Sequence, residues 1–197
     1  YLAFYPQTKA EAEREVLAAN GPTLATVSLR PHLIWGPGDP NLLPRLIDRA
    51  RRGRLRIVGD GKNKVSLTYI DNAAVAHLQA ADRLAPGVSW AGKAYFVNDP
   101  EPVVLWEWIN QLLGRLDVPQ VKGSISPALA RTVGGIAEGV WRLFGLAGEP
   151  PMTRFVAEQL CRSHSYSLAP AQAAFGYQPV VSAEVALDRT VEALKRG

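Results

Sequence analysis

A chain of 197 residues with 47% apolar and 20% charged residues can bury one sizeable core, which excludes disordered, collagen-like and coiled-coil chains. Lys and Arg (22) exceed Asp and Glu (18), but apart from Arg49, Arg51, Arg52, Arg54 and Arg56 the basic residues are scattered, so no nucleic-acid partner is expected. The single Cys161 rules out an internal disulfide, and His32, His77 and His164 have no metal-ligand spacing with it or with one another, so no metal site is expected.

In chain order, Tyr5 to Asn20 is rich in Ala, Glu and Leu, carries Pro6 where a missing N–H is harmless, and stops at Gly21-Pro22; it predicts a helix. Thr23 to Pro31 is β-branched with apolar residues on both faces, the pattern of a buried parallel strand. Trp35 to Asn41 is turn chemistry, Leu42 to Gly53 a second helix, and Leu55 to Ile70 two short strands around the Gly59-Asp60-Gly61 turn. Asp71 is placed to N-cap a helix running to Ala85, with Ala74, Val75, Leu78 and Ala81 at helical spacing. A strand over Lys93 to Asp99 and an apolar helix over Pro102 to Leu116, containing Trp106 and Trp108, follow. Strands alternating with helices predict an α/β sheet with crossover helices, and the last third reads as helical and irregular. No internal repeat or low-complexity linker occurs.

Ser126 to Gly148 is about the length of a bilayer span, but Arg131, Glu138 and Arg142 interrupt it, each costing roughly 2.5–3.5 kcal/mol near a membrane centre. Two readings stay open: a helix packed over a substrate cleft, and a helix docked on a membrane surface.

Tyr5 and Lys9 stand four positions apart on the first predicted helix, so both project from one face. A tyrosine hydroxyl can exchange a proton with an alcohol or carbonyl, but an unperturbed phenol is a poor base at neutral pH. An ammonium about 5 Å away contributes about 3.3 kcal/mol towards ionisation at an effective dielectric of about 20, and about 0.8 kcal/mol in bulk water. Such chemistry needs a covered site. On spacing alone, the pair is equally a solvated helix face.

The order Tyr5-Pro-Gln-Thr-Lys9, Leu29-Arg30-Pro31-His32, Gly36-Pro37-Gly38-Asp39, then Thr68-Tyr69-Ile70-Asp71-Asn72-Ala73 with Ala76-His77 and Ala80-Ala81, resembles the extended short-chain dehydrogenase/reductase superfamily. Within it the likeness is to the 3β-hydroxysteroid dehydrogenase family, including sterol-4α-carboxylate 3-dehydrogenases; Thr153-Arg154 and the run Tyr166 to Pro179 look like that family's C-terminal signature. The resemblance implies the C-terminal part of an extended Rossmann-type α/β fold. Residues 1–101 would hold the active-site helix and interleaved pocket segments, and 102–197 a mainly helical substrate-binding region. It implies Tyr5 as catalytic acid/base, and Lys9 lowering its pKa while hydrogen-bonding the nicotinamide ribose of NAD or NADP. It also implies Pro31, His32 and Ile34 lining the nicotinamide, mostly through backbone groups. The residues around Leu42 to Ile47 and Val65 to Tyr69 would shape the substrate pocket. His32 is also readable as a structural histidine.

The family's Gly-rich strand-turn-helix should precede Tyr5 and does not occur in the 197 residues. Gly36-Pro37-Gly38 and Gly59-Asp60-Gly61 are turns, with Asn41 and Lys64 where a third glycine would stand. The chain by itself is therefore expected neither to bind NAD(H) measurably nor to oxidise alcohols, and its sheet edge to be covered by another chain or by self-association. The sequence begins with Tyr and shows no leader pattern, so a cytoplasmic setting is the default expectation. No Gly-x-Ser-x-Gly, His-Glu-x-x-His or Walker motif occurs.

The leading expectation is an oxidoreductase acting on an apolar secondary alcohol or ketone. The alternatives are a nucleotide-sugar epimerase or dehydratase or a ketoreductase on the same scaffold, and a non-catalytic binding module.

Overall fold

The computed structural model describes residues 4–148 and 150–196, with side chains from Pro6 onward. The first helix, α1 (Phe4–Ala18), is followed by β1 (Ser28–Pro31), β2 (Ile34–Trp35), α2 (Leu42–Arg51), β3 (Ile57–Val58), β4 (Lys64–Val65), β5 (Thr68–Tyr69) and α3 (Ile70–Ala81). Then come β6 (Ala94–Val97), β7 (Val103–Val104), α4 (Leu105–Arg115), β8 (Ser124–Ile125), α5 (Pro127–Phe144), α6 (Arg154–Cys161), α7 (Ala169–Phe175) and α8 (Ala183–Arg196).

The strands pair as β1 with β6, β2 with β5 and β3 with β8, all parallel, and β4 with β7, antiparallel. The strand expected from Thr23 narrows to Ser28–Pro31. The chain before it is held by Asn20, whose Oδ1 accepts from the Thr26 amide, while the Thr26 carbonyl accepts from the Gly92 amide; the regular register with β6 begins at Ser28, whose N–H meets the Lys93 carbonyl.

Three expectations are corrected. The strands around Gly59-Asp60-Gly61 do not pair with each other; β3 continues onto β8 through Gly59 N–H to Ile125 C=O, and β4 pairs with β7, because the five-residue link 59–63 separates their edges. Asp71 is not the N-cap of α3: β5 runs straight into the helix, Tyr69 occupies the N-cap position without a side-chain hydrogen bond, and Asp71 sits in the first turn, where its carboxylate suits the helix N-terminus and meets Arg189 at 3.2 Å. The helix expected from Pro102 begins at Leu105, after β7.

One core gathers Trp35, Leu43 and Val65 with Trp106, Ile109, Leu112 and Leu113, so residues before and after position 101 share it. A second packs Ala76, Ala80 and Val97 against Ala171, Phe175 and Tyr177. The helix α5 starts where Ser126 Oγ accepts from Leu129 N–H with Pro127 in the first turn, and it stops at Gly145 in the left-handed conformation. It packs antiparallel on α6 through Arg131–Glu158 and Glu138–Arg154. At the crossing, a Cβ on Gly134 would come within 2.6 Å of the Thr153 carbonyl carbon. Among the described residues, no helix is long and apolar enough to cross a membrane.

Candidate active site

The direction of α1 follows from its two ends. Beyond its C-terminus, Asn20 binds the Thr26 amide and lies against Gly92, at the amino ends of β1 and β6. Further back, Glu13 Oε2 accepts from Ser28 Oγ and Arg30 Nε, both at 2.7 Å, and its Oε1 from Arg30 Nη2. The helix therefore runs antiparallel to β1, and position 5 lies about 12 Å along the axis from Glu13, towards the strand carboxyl ends. The Arg30 guanidinium and the Ser28 hydroxyl together pull the Glu13 carboxyl down to about 2, against the effect of its own burial. Positions 5 and 9 fall one turn apart on the uninterrupted helix, and Lys9 is exposed. The Tyr5 side chain lies outside the described residues.

Pro31, His32 and Ile34 form one segment leaving β1 at that carboxyl end, where open α/β sheets bind ligands. Pro31 and His32 are half-buried, and Ile34 is 41% exposed. The Thr68 hydroxyl accepts from the His32 amide at 3.1 Å, and its one hydrogen faces the His32 carbonyl at 2.8 Å and the Val97 carbonyl at 3.1 Å, so Thr68 reaches both backbone groups of His32. The next residue, Leu33, takes φ +45, a left-handed conformation uncommon for a side-chain-bearing residue. The His32 ring meets His164, with Nε2 2.6 Å from Nδ1, and its edge contacts Tyr166 at 5.0 Å between centroids. Tyr166 in turn stacks on Phe96 at 3.9 Å. Burial, reinforced by His164, pushes the His32 imidazole down to about 4, so it is neutral at physiological pH.

Ile34 also borders a cleft of about 330 Å³ lined by Gly36, Asp39, Leu42 and Ile70. Asp39 fixes its rim by accepting from the amides of Asn41, Leu42 and Leu43 at the start of α2. Gly36 has φ +146, and a Cβ there would sit 2.6 Å from Ile70 Cγ2, so the rim takes only glycine. Of the two segments expected to shape a pocket, Leu42 reaches the cleft, while Leu43, Leu46, Ile47, Val65, Leu67 and Tyr69 are buried in the main core.

Behind the cleft, Asp99 at the end of β6 accepts from the Tyr69 amide and from Asn72 Nδ2. Burial pushes the Asp99 carboxyl up, and those two hydrogen bonds oppose the rise. Sequence reasoning gives none of His164, Tyr166, Thr68 and Asp99 an individual site role. Thr68 stands within a motif and an expected pocket segment, Tyr166 opens the C-terminal signature, His164 is weighed only as a metal ligand and Asp99 ends a predicted strand; the contacts that bring them to the site are too distant along the chain for local spacing to reveal. Among the described residues, no group of three or more His, Cys, Asp or Glu is placed to hold a metal ion.

Comparison with known proteins agrees with this architecture. The 2-alkyl-3-oxoalkanoate reductase of Stenotrophomonas maltophilia is 57% identical over 189 residues, covering 96% of this chain and 57% of that protein. The sterol-4-alpha-carboxylate 3-dehydrogenase, decarboxylating, of Mus musculus is 32% identical over 196 residues, covering 97% and 54% respectively. The chain spans about half the length of the curated relatives it matches. Among solved structures, a double mutant of the dTDP-glucose 4,6-dehydratase DesIV of Streptomyces venezuelae, with NAD and DAU bound, aligns with a TM-score of 0.63 at 18% identity over 98% of this chain and 51% of its own. That likeness identifies the fold as Rossmann-type α/β. The family profile described as 3-beta hydroxysteroid dehydrogenase/isomerase matches residues 1–126, and the chain belongs to that family.

Proposed function

We propose that this chain is the catalytic and substrate-binding portion of an oxidoreductase that uses NAD or NADP to interconvert a secondary alcohol and its ketone. The supporting observation is the antiparallel run of α1 against β1, with positions 5 and 9 towards the carboxyl end that also carries Pro31, His32 and Ile34. In this reading Tyr5 takes the hydroxyl proton during oxidation and returns it during reduction, while Lys9 favours the phenolate and holds the ribose. When bound, the nicotinamide supplies or accepts the hydride. Ile34 and Pro31 offer it an apolar, half-covered wall, which suits an uncharged ring face. Residues 1–101 would contribute the active-site helix and pocket segments, and 102–197 the substrate-binding region.

The names of two relatives support a reading of the substrate class. A 2-alkyl-3-oxoalkanoate and a sterol 4-carboxylate acted on at carbon 3 both carry a carboxyl group β to the reacting carbon, with bulky apolar substituents. A β-hydroxy or β-oxo acid with large apolar groups is the corresponding substrate for this chain.

A lipid surface is the partner that fits α5. Leu129, Val133, Ile136, Val140 and Leu143 recur at four- and three-residue spacing and are exposed. Arg142 stands on the last turn of the same helix, so the apolar ridge carries a basic group suited to anionic headgroups near its end.

Replacing Tyr5 by Phe in the complete enzyme should lower kcat about 10²- to 10⁴-fold while cofactor affinity, measured by titration, stays close to wild type. Retention of full turnover would refute the assignment.

A further inference from the structure

His32 and His164 are 132 positions apart in sequence, yet their rings share a hydrogen bond of 2.6 Å. Its direction can be assigned from the far side of His164. There Nε2 lies 3.0 Å from the Gln159 carbonyl oxygen, which can only accept, so Nε2 carries the hydrogen. In a neutral ring Nδ1 is then the acceptor, and His32 donates to it from Nε2.

His164 is itself held on both sides of its backbone. Its amide donates to the Lys64 carbonyl at 2.9 Å, and its carbonyl accepts from the Ser66 amide at 3.1 Å. Two residues on, the Tyr166 amide donates to Ser66 Oγ. The segment around His164 thus lies as a fixed strip along β4, with its imidazole aimed at the loop after β1. On the receiving side, Thr68 already clamps the backbone of His32, and the histidine pair clamps its side chain. With His32 fixed at both levels, Leu33 is kept in its left-handed conformation, which persists only where neighbours hold it.

We propose that His164 is a positioning residue: acting through His32, it holds the Pro31–Ile34 segment in the conformation that receives the nicotinamide, so that the C-terminal third of the chain sets cofactor affinity. This rests on the functional reading above, in which that segment faces the cofactor. His164 touches neither cofactor nor substrate, and its effect falls on binding rather than on the chemical step.

The test uses the complete enzyme, with NAD(H) or NADP(H) binding titrated directly by fluorescence in the absence of substrate alongside steady-state kinetics, and the cofactor Kd is expected to move with its KM. His164→Ala should raise the KM for the cofactor about ten-fold, the equivalent of about 1.4 kcal/mol and of one lost hydrogen bond, with kcat at saturating cofactor within about two-fold of wild type. His164→Asn keeps an acceptor oxygen near the place of Nδ1 and should bring KM back to within about three-fold. A His164→Ala enzyme with unchanged KM overturns the proposal. So does a His164→Asn enzyme that melts like wild type yet binds cofactor no better than the alanine variant, and this second comparison decides the matter if His164→Ala fails to fold. If wild type shows no nicotinamide-dependent turnover, the functional reading fails; if it turns over and His164→Ala binds cofactor normally, only the positioning role fails.

Discussion

Asn72 gives the sharpest test of how the site is framed. Its side chain is fully buried, at 0% exposure, and makes four hydrogen bonds: Nδ2 donates to Asp99 Oδ1 at 2.8 Å and to the Val181 carbonyl at 2.9 Å, and Oδ1 accepts from the Val180 and Val181 amides, both at 2.9 Å. Replacement by Ala leaves two amides, a carbonyl and a buried carboxyl short of a partner. At about 1 kcal/mol for each of three neutral bonds and about 2 kcal/mol for the one to Asp99, the loss is about 5 kcal/mol, reduced to about 4 kcal/mol if water enters the space. For a chain of this size that lowers Tm by about 8–16 °C. Urea unfolding followed by tryptophan fluorescence reads the difference directly. Asn72→Asp keeps the acceptor but sets a second carboxyl against Asp99, so it should be the worse variant at neutral pH and recover part of its loss on acidification. An Asn72→Ala cost below about 1 kcal/mol would refute the picture of a fully committed side chain.

The Glu13–Arg30 pair predicts an acid-sensitive anchor for α1. With the Glu13 carboxyl at about 2 in the folded chain against an ordinary 4.5, its contribution is complete above about pH 4.5 and disappears as pH falls towards 2. Arg30 is 43% exposed, so screening holds that contribution to about 1 kcal/mol, and the unfolding free energies of wild type and Glu13→Gln should differ by that amount at pH 7 and converge in acid. Gly36→Ala should cost about 2–3 kcal/mol in urea unfolding from its φ of +146 and its overlap with Ile70; adding Ile70→Ala should relieve the overlap and leave the torsional cost, so a fully neutral Gly36→Ala would contradict the geometry. Ile136→Glu and Leu143→Glu, at positions 62% and 78% exposed, should change stability by less than about 0.5 kcal/mol and abolish co-sedimentation with anionic phospholipid vesicles; undiminished vesicle binding would remove α5 as the contact.

What the sequence revealed and what it hid divide along contact distance. The first helix was legible because Ala and Glu dominate from Ala10 to Glu15, whereas α5 was legible only as an apolar stretch over Ser126 to Gly148, and the structure sets its ends at the Ser126 cap and at Gly145. The parallel strands β1 and β6 were legible from β-branched and aromatic runs. The pairing of β3 and β4 was not: each is two residues long, too short to carry a period, and their partners β8 and β7 lie far along the chain. Asp71 has the side chain of a good cap, yet the junction of β5 with α3 gives that position to Tyr69. The Tyr5 and Lys9 spacing placed both on one helix face, but nothing local says which way the face turns. That depends on Glu13 meeting Arg30, 17 positions on. His164 could not be read at all, because a lone histidine carries no spacing signal and its partner is 132 positions away.

These long-range contacts share one destination. From the first part of the chain come α1, the Pro31–Ile34 segment and the junction of β5 with α3; from the last come His164 against His32, the Tyr177 hydroxyl against the Asn98 carbonyl, and Val180 and Val181 against Asn72. All of these contacts reach the carboxyl ends of β1, β5 and β6 or the loops that leave them. A C-terminal region acting only as a detachable cover would contact the rim of the cleft and leave the sheet ends satisfied by their own neighbours. Here it supplies hydrogen-bond partners to buried backbone and side-chain groups of the sheet itself, and the penalty for leaving those groups unpaired ties the two parts into one cooperative unit. Substitutions at residues 164–181 should therefore be felt in the geometry of the Pro31–Ile34 segment as much as in the last helices.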